Sequence, residues 1–147
     1  QAAGSLMDRD LGYRSHSTGQ VAQRRPPSSS RRLAYLDPND KAVLIYATYP
    51  DPETAEAGGR ALVEAGLAAC VNILPGMVSV YRWEGAVERS EECVMIIKTR
   101  AVLADAAIAA AKGRHPYTTP AFVILPVEGG SADYLDWIVA STIDGSR

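Results

Sequence analysis

The sequence has no long hydrophobic run, no glycine-rich phosphate loop and no paired metal-ligand motif. A membrane-spanning helix needs roughly 18 consecutive apolar residues, and a secretory signal needs a hydrophobic segment close to the N-terminus. Neither feature is found in the 147 residues. We therefore expect a soluble protein and, by default, a cytoplasmic one.

An excess of charge of one sign is also lacking, since the formal net charge is -2. Acidic side chains outnumber basic ones after residue 40, whereas a protein that binds a nucleic-acid backbone needs a basic surface. No nucleophile elbow or other set of nucleophile, base and acid follows a known spacing. We therefore predict neither a nucleic-acid-binding protein nor an enzyme.

Cysteine is scarce, and Cys70 and Cys93 both lie in apolar runs that are typical of strands. This setting predicts buried free thiols, because neither residue has a second ligand at metal-binding spacing. Together with His115 they would make a reasonable soft ligand set for copper or zinc. The three residues are far apart in the sequence, so packing is favoured and the metal site stays an alternative.

The length predicts one domain, residues 41–147, preceded by a tail, residues 1–40. The tail contains Arg24-Arg25-Pro26-Pro27, three serines and Arg31-Arg32, with few apolar side chains. Such a composition cannot offset the entropy lost on ordering, so we predict a disordered tail, with docking on a neighbouring surface as the alternative. Residues 1–6 precede Met7, and one interpretation of them is an expression remnant.

The domain alternates apolar runs with helical segments. The predicted elements are a strand at Ala42–Thr48, a helix at Glu53–Ala65, a two-stranded ribbon at Ala69–Thr99, a helix at Val102–Lys112, a strand at Phe122–Pro126 and a helix from Ala132 to about Ser141. Two strand-helix-strand units joined by a hairpin predict an α+β fold. It is a ferredoxin-like βαββαβ antiparallel sheet with an extra C-terminal helix.

The first predicted helix carries signals at both ends. Asp51 can cap the free N–H groups of the first turn, and Pro52 suits the first helical position. Gly66 can end the helix in the left-handed conformation. Gly58-Gly59 would weaken the helix, so we predict close packing of this pair against the sheet. The side chains predicted to face inward are Ala55, Leu62 and Val63.

The ribbon Ala69–Thr99 is longer than one small sheet needs. Its strands meet at Glu84-Gly85, and Pro75-Gly76 predicts a bulge or kink in the first strand. The two helices of this fold cover one face of the sheet, yet both faces of the predicted strands are apolar. The uncovered face would exceed the ~300 to 600 Å² patch that is normal for a monomer, so we expect a symmetric copy to cover it.

Polar-tipped side chains at strand ends and on the proline-rich loop favour a small-ligand cleft. The candidates are Tyr81, Trp83, Lys98, His115 and Tyr117. Aromatic residues on a ribbon are also typical of protein interfaces, so Trp83 is interpreted first as an interface residue.

Five ordered segments carry a family resemblance. They are LAACVNILPG (Leu67–Gly76), YRWEG (Tyr81–Gly85), MIIKT (Met95–Thr99), HPYTTP (His115–Pro120) and YLDWI (Tyr134–Ile138). Together they resemble the CutA family, the divalent-cation tolerance proteins, over about Val43–Thr142. The resemblance implies a ferredoxin-like fold and a compact homotrimer, similar to the PII signalling proteins, whose ribbons interlock and whose sheets face inward.

The resemblance also implies a role in tolerance of divalent metals, copper in particular. In members described as copper-binding, the proposed ligands are a cysteine at the end of the first strand and two successive histidines before Pro-Tyr. Those positions are Ala47, Arg114 and His115 here, and the carboxylate usual after the second proline of the loop is Ala121. We therefore expect weak cation binding through His115, with Cys70 as the second candidate donor, and no required cofactor.

A second function stays open, a trimeric PII-like sensor or adaptor. Its inter-subunit clefts would bind a small anion or a partner protein. The cleft residues would be Tyr81, Trp83, Lys98, Arg114, His115 and Tyr117.

Overall fold

The computed structural model describes residues 40–144, which contain four strands and three α-helices. The strands are β1 (Ala42–Tyr49), β2 (Cys70–Trp83), β3 (Ala86–Arg100) and β4 (Phe122–Pro126), and the helices are α1 (Pro52–Glu64), α2 (Ala104–Lys112) and α3 (Ala132–Ala140). The strands form one antiparallel sheet in the order β2-β3-β1-β4. The predicted α+β class, the ferredoxin-like order of elements and the extra C-terminal helix are confirmed.

The predicted tail, residues 1–40, lies outside the described residues except for Asp40. The division into a tail and a domain at residue 41 therefore stays a prediction. Within residues 40–144, no helix is long and apolar enough to cross a membrane.

One face of the sheet, called here the helix face, is covered by α1 and α2. At its centre Ile45 of β1 pairs with Ile97 of β3, and Ala47 pairs with Met95. All four side chains are fully buried, and burial of an isoleucine or methionine side chain contributes about 1.5 to 3 kcal/mol. Three alanines of α2 complete the contact with the sheet; they are Ala104, Ala107 and Ala111.

The end signals of α1 act as predicted. Asp51 Oδ1 accepts a hydrogen bond from the Thr54 backbone N–H at 2.8 Å, and this bond is the main cause that lowers the pKa of the Asp51 carboxyl. At the other end Gly66 has a φ of 71°. The Leu67 N–H then donates to the Leu62 carbonyl at 3.0 Å, which is the closing bond of a Schellman motif.

Gly58 and Gly59 lie where α1 touches the sheet, as predicted. A Cβ on Gly59 would lie 2.5 Å from Val71 Cγ2 and 3.0 Å from Met95 Sδ. A Cβ on Gly58 would lie 3.2 Å from the Tyr49 hydroxyl. The helix can therefore approach the strands this closely only because both positions lack a side chain.

Two details of the helices were predicted wrongly. Val63 was expected to face inward but is 41% exposed, because it follows Leu62 by ~100° around the helix and leaves the buried stripe. The second predicted helix opens with a 3-10 turn at Ala101–Leu103, so α2 itself begins at Ala104. The tighter turn lets the chain leave β3 abruptly.

Both irregular points predicted in the ribbon are present. Glu84 and Gly85 have φ angles of 48° and 82°, which is the pattern of a type I′ hairpin turn. The register of β2 against β3 shifts between Leu74 and Met77. Gly76, inside this shift, has a φ of 77°, which glycine adopts without strain. A bulge at this point bends the ribbon.

Beyond the bulge the ribbon leaves the sheet. β1 pairs with β3 from Arg100 back to Cys93, and β3 continues with β2 alone. We call Met77–Glu92 the distal ribbon; among residues 40–144 its strands pair only with each other. Val80 and Val87 of this segment are 69% and 67% exposed. The surplus length predicted from the sequence is therefore real.

The second face of the sheet, called here the open face, is only partly covered. α3 packs over one end of it, where Leu135 and Ile138 bury Ala42. The remainder presents apolar side chains to solvent, as expected from the two-sided strand pattern. The most exposed of them are Leu74 (53%), Val123 (51%) and Leu125 (43%).

Arg100 joins the two ends of the described domain. Its side chain is 5% exposed, and Nη1 lies 2.6 Å from Asp40 Oδ1. Its Nε donates to Thr142 Oγ1 at 2.9 Å. The buried guanidinium therefore ties the start of β1 to the segment that follows α3.

Gly59→Ala should lower the free energy of unfolding by about 1 to 3 kcal/mol, because the methyl group would overlap close-packed core atoms. Denaturant titration measures this change. Gly113→Ala is the matched control, since its Cβ would meet backbone oxygens at 3.5 Å and 3.7 Å and its φ is -61°; we expect no loss there. An unchanged Gly59→Ala protein would contradict the packing described.

Candidate functional site

The loop between α2 and β4 carries His115 over the end of β1. The His115 ring is half-buried, and its centroid lies 4.4 Å from that of Tyr49 and 4.8 Å from that of Tyr117. Phe122 approaches the same ring edge-on at 5.8 Å. Three aromatic rings therefore fix the plane of the imidazole.

Both ring nitrogens of His115 have partners. The Tyr117 backbone N–H donates to Nδ1 at 3.0 Å, and Nε2 lies 2.8 Å from the Thr48 carbonyl oxygen. A backbone N–H can only donate and a carbonyl can only accept, so Nδ1 is the acceptor and Nε2 carries the proton. In this arrangement neither nitrogen of the neutral ring has a lone pair free for a metal ion.

Tyr117 ties this loop to the distal ribbon. Its hydroxyl donates to Glu92 Oε1 at 2.9 Å. Burial and the bond to Glu92 raise the pKa of Tyr117 to about 12, so the hydroxyl keeps its proton at neutral pH. Glu92 pairs with Met77 in the first rung beyond the bulge, and the Tyr46 hydroxyl contacts Met77 Sδ at 3.5 Å. The hydroxyls of Tyr117 and Tyr46 therefore contact the two members of the same strand pair, Glu92 and Met77.

Tyr49 lies beneath His115 and is 1% exposed. Its hydroxyl has no hydrogen-bond partner among the described residues. Burial, with a smaller effect of Cys93, raises the pKa of Tyr49 to about 12. The neutral hydroxyl is therefore a buried polar group without compensation, which costs stability.

The proposed soft metal ligands are not brought together. Cys93 is fully buried on the helix face, and burial, reinforced by Asp51 and Glu92, raises the pKa of its thiol. A protonated thiol is a poor metal ligand. Cys70 is half-buried and pairs with Lys98 of β3, at the far end of the sheet from His115. Within residues 40–144, no group of three or more His, Cys, Asp or Glu side chains could hold a metal ion.

Part of the predicted cleft is assembled around the His115 loop. Tyr117 contacts His115, and Tyr81 of the distal ribbon is close enough to contribute to the raised pKa of Tyr117. Arg114 is exposed beside them. These four residues share one edge of the domain.

The remaining two predicted cleft residues lie elsewhere in the chain. Trp83 ends β2 beside the hairpin turn and is 49% exposed. Lys98 pairs with Leu44 of β1, whereas His115 contacts Thr48. Four strand residues span roughly 13 Å, so Lys98 is separated from the His115 loop within one chain.

Sequence reasoning missed Tyr49 and Glu92 as parts of the site, and it missed Tyr134 as the hydrogen-bond partner of Lys98. The first strand is predicted to end at Thr48, but Tyr49 is the last residue of β1. The residue before a proline is pushed toward extended conformation, and this signal could have extended the strand. The partners of Glu92 and Tyr134 lie 25 and 36 residues away, and no local pattern indicates such contacts.

Comparison with known proteins gives a consistent result. A family model described as CutA1 divalent ion tolerance protein matches residues 43–141. The chain is 45% identical over 100 residues to the divalent-cation tolerance protein CutA of Pectobacterium atrosepticum, which covers 68% of this chain and 91% of that protein. It is 39% identical over 115 residues to the chloroplastic protein CutA 1 of Oryza sativa subsp. japonica, covering 78% of this chain and 65% of that one.

Solved structures show the same fold. The crystal structure of CutA1 from Oryza sativa matches with a TM-score of 0.68 and 41% identity, over 70% of this chain and 94% of that chain. CutA1 from Shewanella sp. SIB1 matches with a TM-score of 0.69 and 36% identity, over 71% and 97%. A CutA from Archaeoglobus fulgidus is described as periplasmic and the rice protein as chloroplastic, so the cytoplasmic location of this chain stays a prediction.

Tyr49→Phe should leave the free energy of unfolding unchanged at neutral pH or raise it by up to about 1 kcal/mol, because the hydroxyl removed is buried without a partner. The folded-state pKa of about 12 exceeds the ordinary value of 10.0. The stability that this raised pKa contributes is fully present below pH 10.0, and it is lost as the pH rises toward about 12. The variant should therefore lose less stability over this alkaline range in unfolding titrations.

Tyr117→Phe is the matched control for this experiment. It removes a hydroxyl that does have a partner, Glu92, and should cost about 0.5 kcal/mol at neutral pH. Equal losses in the two variants at neutral pH would show that the Tyr49 hydroxyl is hydrogen-bonded after all.

Proposed function

Because the chain belongs to the CutA1 divalent ion tolerance protein family, we propose that it acts in divalent-cation tolerance as a non-catalytic homotrimer that binds cations weakly. The family match over residues 43–141 is the observation that carries the function. The hydrogen bonds of His115 support the weakness of the binding, because a metal ion would have to displace the Tyr117 N–H from Nδ1 or the proton from Nε2.

The two other positions of the expected ligand set also support weak binding. Ala47 is fully buried on the helix face and has no donor atom. Arg114 is exposed next to His115, and its guanidinium remains charged and repels cations. One imidazole without a second ligand cannot hold a metal ion tightly.

The proposal of a homotrimer rests on two surfaces of the same chain that lack a partner. One is the distal ribbon Met77–Glu92, and the other is the open face with the adjoining strand β4. Both expose large apolar side chains, among them Val80 and Val87 on the ribbon and Val123 and Leu125 on the open face, and the two surfaces differ from each other. Contact between unlike surfaces of identical chains produces a closed ring when the rotation fits. A ring of three would cover both surfaces on every subunit.

The PII-like alternative, a small anion or partner protein in inter-subunit clefts, stays a prediction. In this alternative such clefts would be lined by Tyr81, Trp83, Lys98, Arg114, His115 and Tyr117. In the single chain Lys98 and His115 are half-buried and the other four are exposed.

Expression of this chain in a copper-sensitive bacterium that lacks its own CutA protein tests the function. We expect growth at a raised copper concentration to recover toward that of the parent strain. Equal copper sensitivity with and without the chain, at matched protein levels, would count against the proposal.

Arg114→His should strengthen copper binding by about tenfold or more, because it replaces a charged guanidinium by a second imidazole beside His115. Isothermal titration with copper of the wild type, Arg114→His and the double variant Arg114→His/His115→Ala measures this. The double variant should lose the gain. Arg60→His is the control, since Arg60 is an exposed arginine on α1. A gain of the same size in the control would remove His115 from the site.

Light scattering at low micromolar concentration should give three times the chain mass of 15.7 kDa. Leu125→Asp places a charge on the open face and should reduce the mass to that of smaller species. Val102→Asp is the control, because Val102 is similarly exposed (45%) but lies in the 3-10 turn outside the strands of the sheet. A monomeric wild-type protein would refute the trimer.

A further inference from the structure

Lys98 lies on the open face, where α3 covers the end of the sheet. It is half-buried and pairs with Leu44 on one side and Cys70 on the other. Its Nζ donates to the Tyr134 hydroxyl at 2.9 Å, because an ammonium group has donors and no acceptor. A neighbour from α3 therefore holds the ammonium group in a defined place.

The Tyr134 ring is part of an aromatic pair. Trp137 lies nearly one turn further along α3, with the ring centroids 5.6 Å apart and the planes at 29°. Lys98 Nζ is 5.2 Å from the Tyr134 centroid but 2.9 Å from its hydroxyl. The ammonium group therefore lies beyond the hydroxyl edge of the ring, and its two other N–H donors can point away from the aromatic pair.

The charge of Lys98 has no carboxylate partner in the described part of the chain. The ion pairs found within residues 40–144 involve Arg60, Arg89 and Arg100. A half-buried cation has lost part of its hydration, and an anionic partner offsets that loss. The Tyr134 hydroxyl is a neutral acceptor and satisfies one of three donors.

We propose that Lys98, Tyr134 and Trp137 form a binding site for a small anion that carries a flat ring, such as an aromatic carboxylate or phosphate. Lys98 binds the anionic oxygens through charged hydrogen bonds, which are stronger than neutral ones. The aromatic pair contacts the ring of the ligand. The site is separate from the proposed role in cation tolerance. Because it lies on the open face, a neighbouring subunit of the proposed trimer would form its outer side.

Three probes separate the contributions of charge and ring. Phenyl phosphate supplies both, inorganic phosphate supplies the charge, and benzyl alcohol supplies the ring. Each is titrated into the unmodified full chain, and binding is measured by isothermal titration calorimetry. We expect phenyl phosphate to bind about tenfold or more tightly than either other probe.

Lys98→Met keeps most of the side-chain stem and removes the charge. We expect it to weaken phenyl phosphate binding by about tenfold or more, the loss expected for a charged hydrogen bond. Lys112→Met is the matched control, because Lys112 is exposed at the end of α2, and it should bind like the parent protein.

Equal affinities of the two lysine variants, or no binding of phenyl phosphate at millimolar concentration, overturn the proposal. If an acidic side chain of another copy pairs with Lys98, phenyl phosphate will not bind and Lys98→Met will lower the mass of the assembly; that result overturns it too. Light scattering on the same samples separates the two proposals. A trimer that does not bind refutes only the site, and a monomer that binds refutes only the trimer.

Discussion

The pairing of β3 with two strands of unequal length is the constraint on which the rest of the structure depends. β3 has 15 residues, β1 has 8 and β2 has 14. β1 therefore supports only the second half of β3, and the first half continues with β2 as the distal ribbon. Hydrogen bonds between the two strands of the ribbon satisfy the backbone groups that face each other. Within residues 40–144, the rest of the domain does not cover the apolar side chains of the ribbon. The bulge at Gly76 then decides in which direction this uncovered segment points.

The loop after α2 uses its polar groups to hold structure together. His115 connects the loop to β1 through the Thr48 carbonyl and to itself through the Tyr117 N–H. Tyr117 then connects the loop to Glu92 at the base of the distal ribbon. An imidazole at this position is compatible with a ligand role in a relative that has further ligands nearby. In this chain the ring joins the loop to β1, and with Tyr117 it connects three segments that are distant in sequence.

The sequence could predict the features that local chemistry determines, and it failed where distant segments meet. Asp51, Gly66 and Gly76 each require a particular backbone conformation, so the cap, the helix end and the bulge were predicted at the residue. Val63 was predicted to face inward because hydrophobicity alone does not give the rotation of a helix whose buried stripe is two glycines, an alanine and a single leucine. The division of the cleft residues depends on strand register, which places Lys98 beside Leu44 and His115 beside Thr48. Family resemblance grouped these residues, but it carries no distances within one chain.

Strand β4 adds an unpaired strand edge to the uncovered surface. It pairs with β1 along one side, and among the described residues no strand pairs with its other side. The segment Phe122–Leu125 is entirely apolar and lacks the lysine or inward charge that usually protects an edge strand, although Pro126 removes one donor at its end. An isolated chain would therefore offer a template on which any other extended segment could add. In the proposed trimer, association with its own copies would cover this edge, so the speed of assembly would then set the protein's resistance to aggregation.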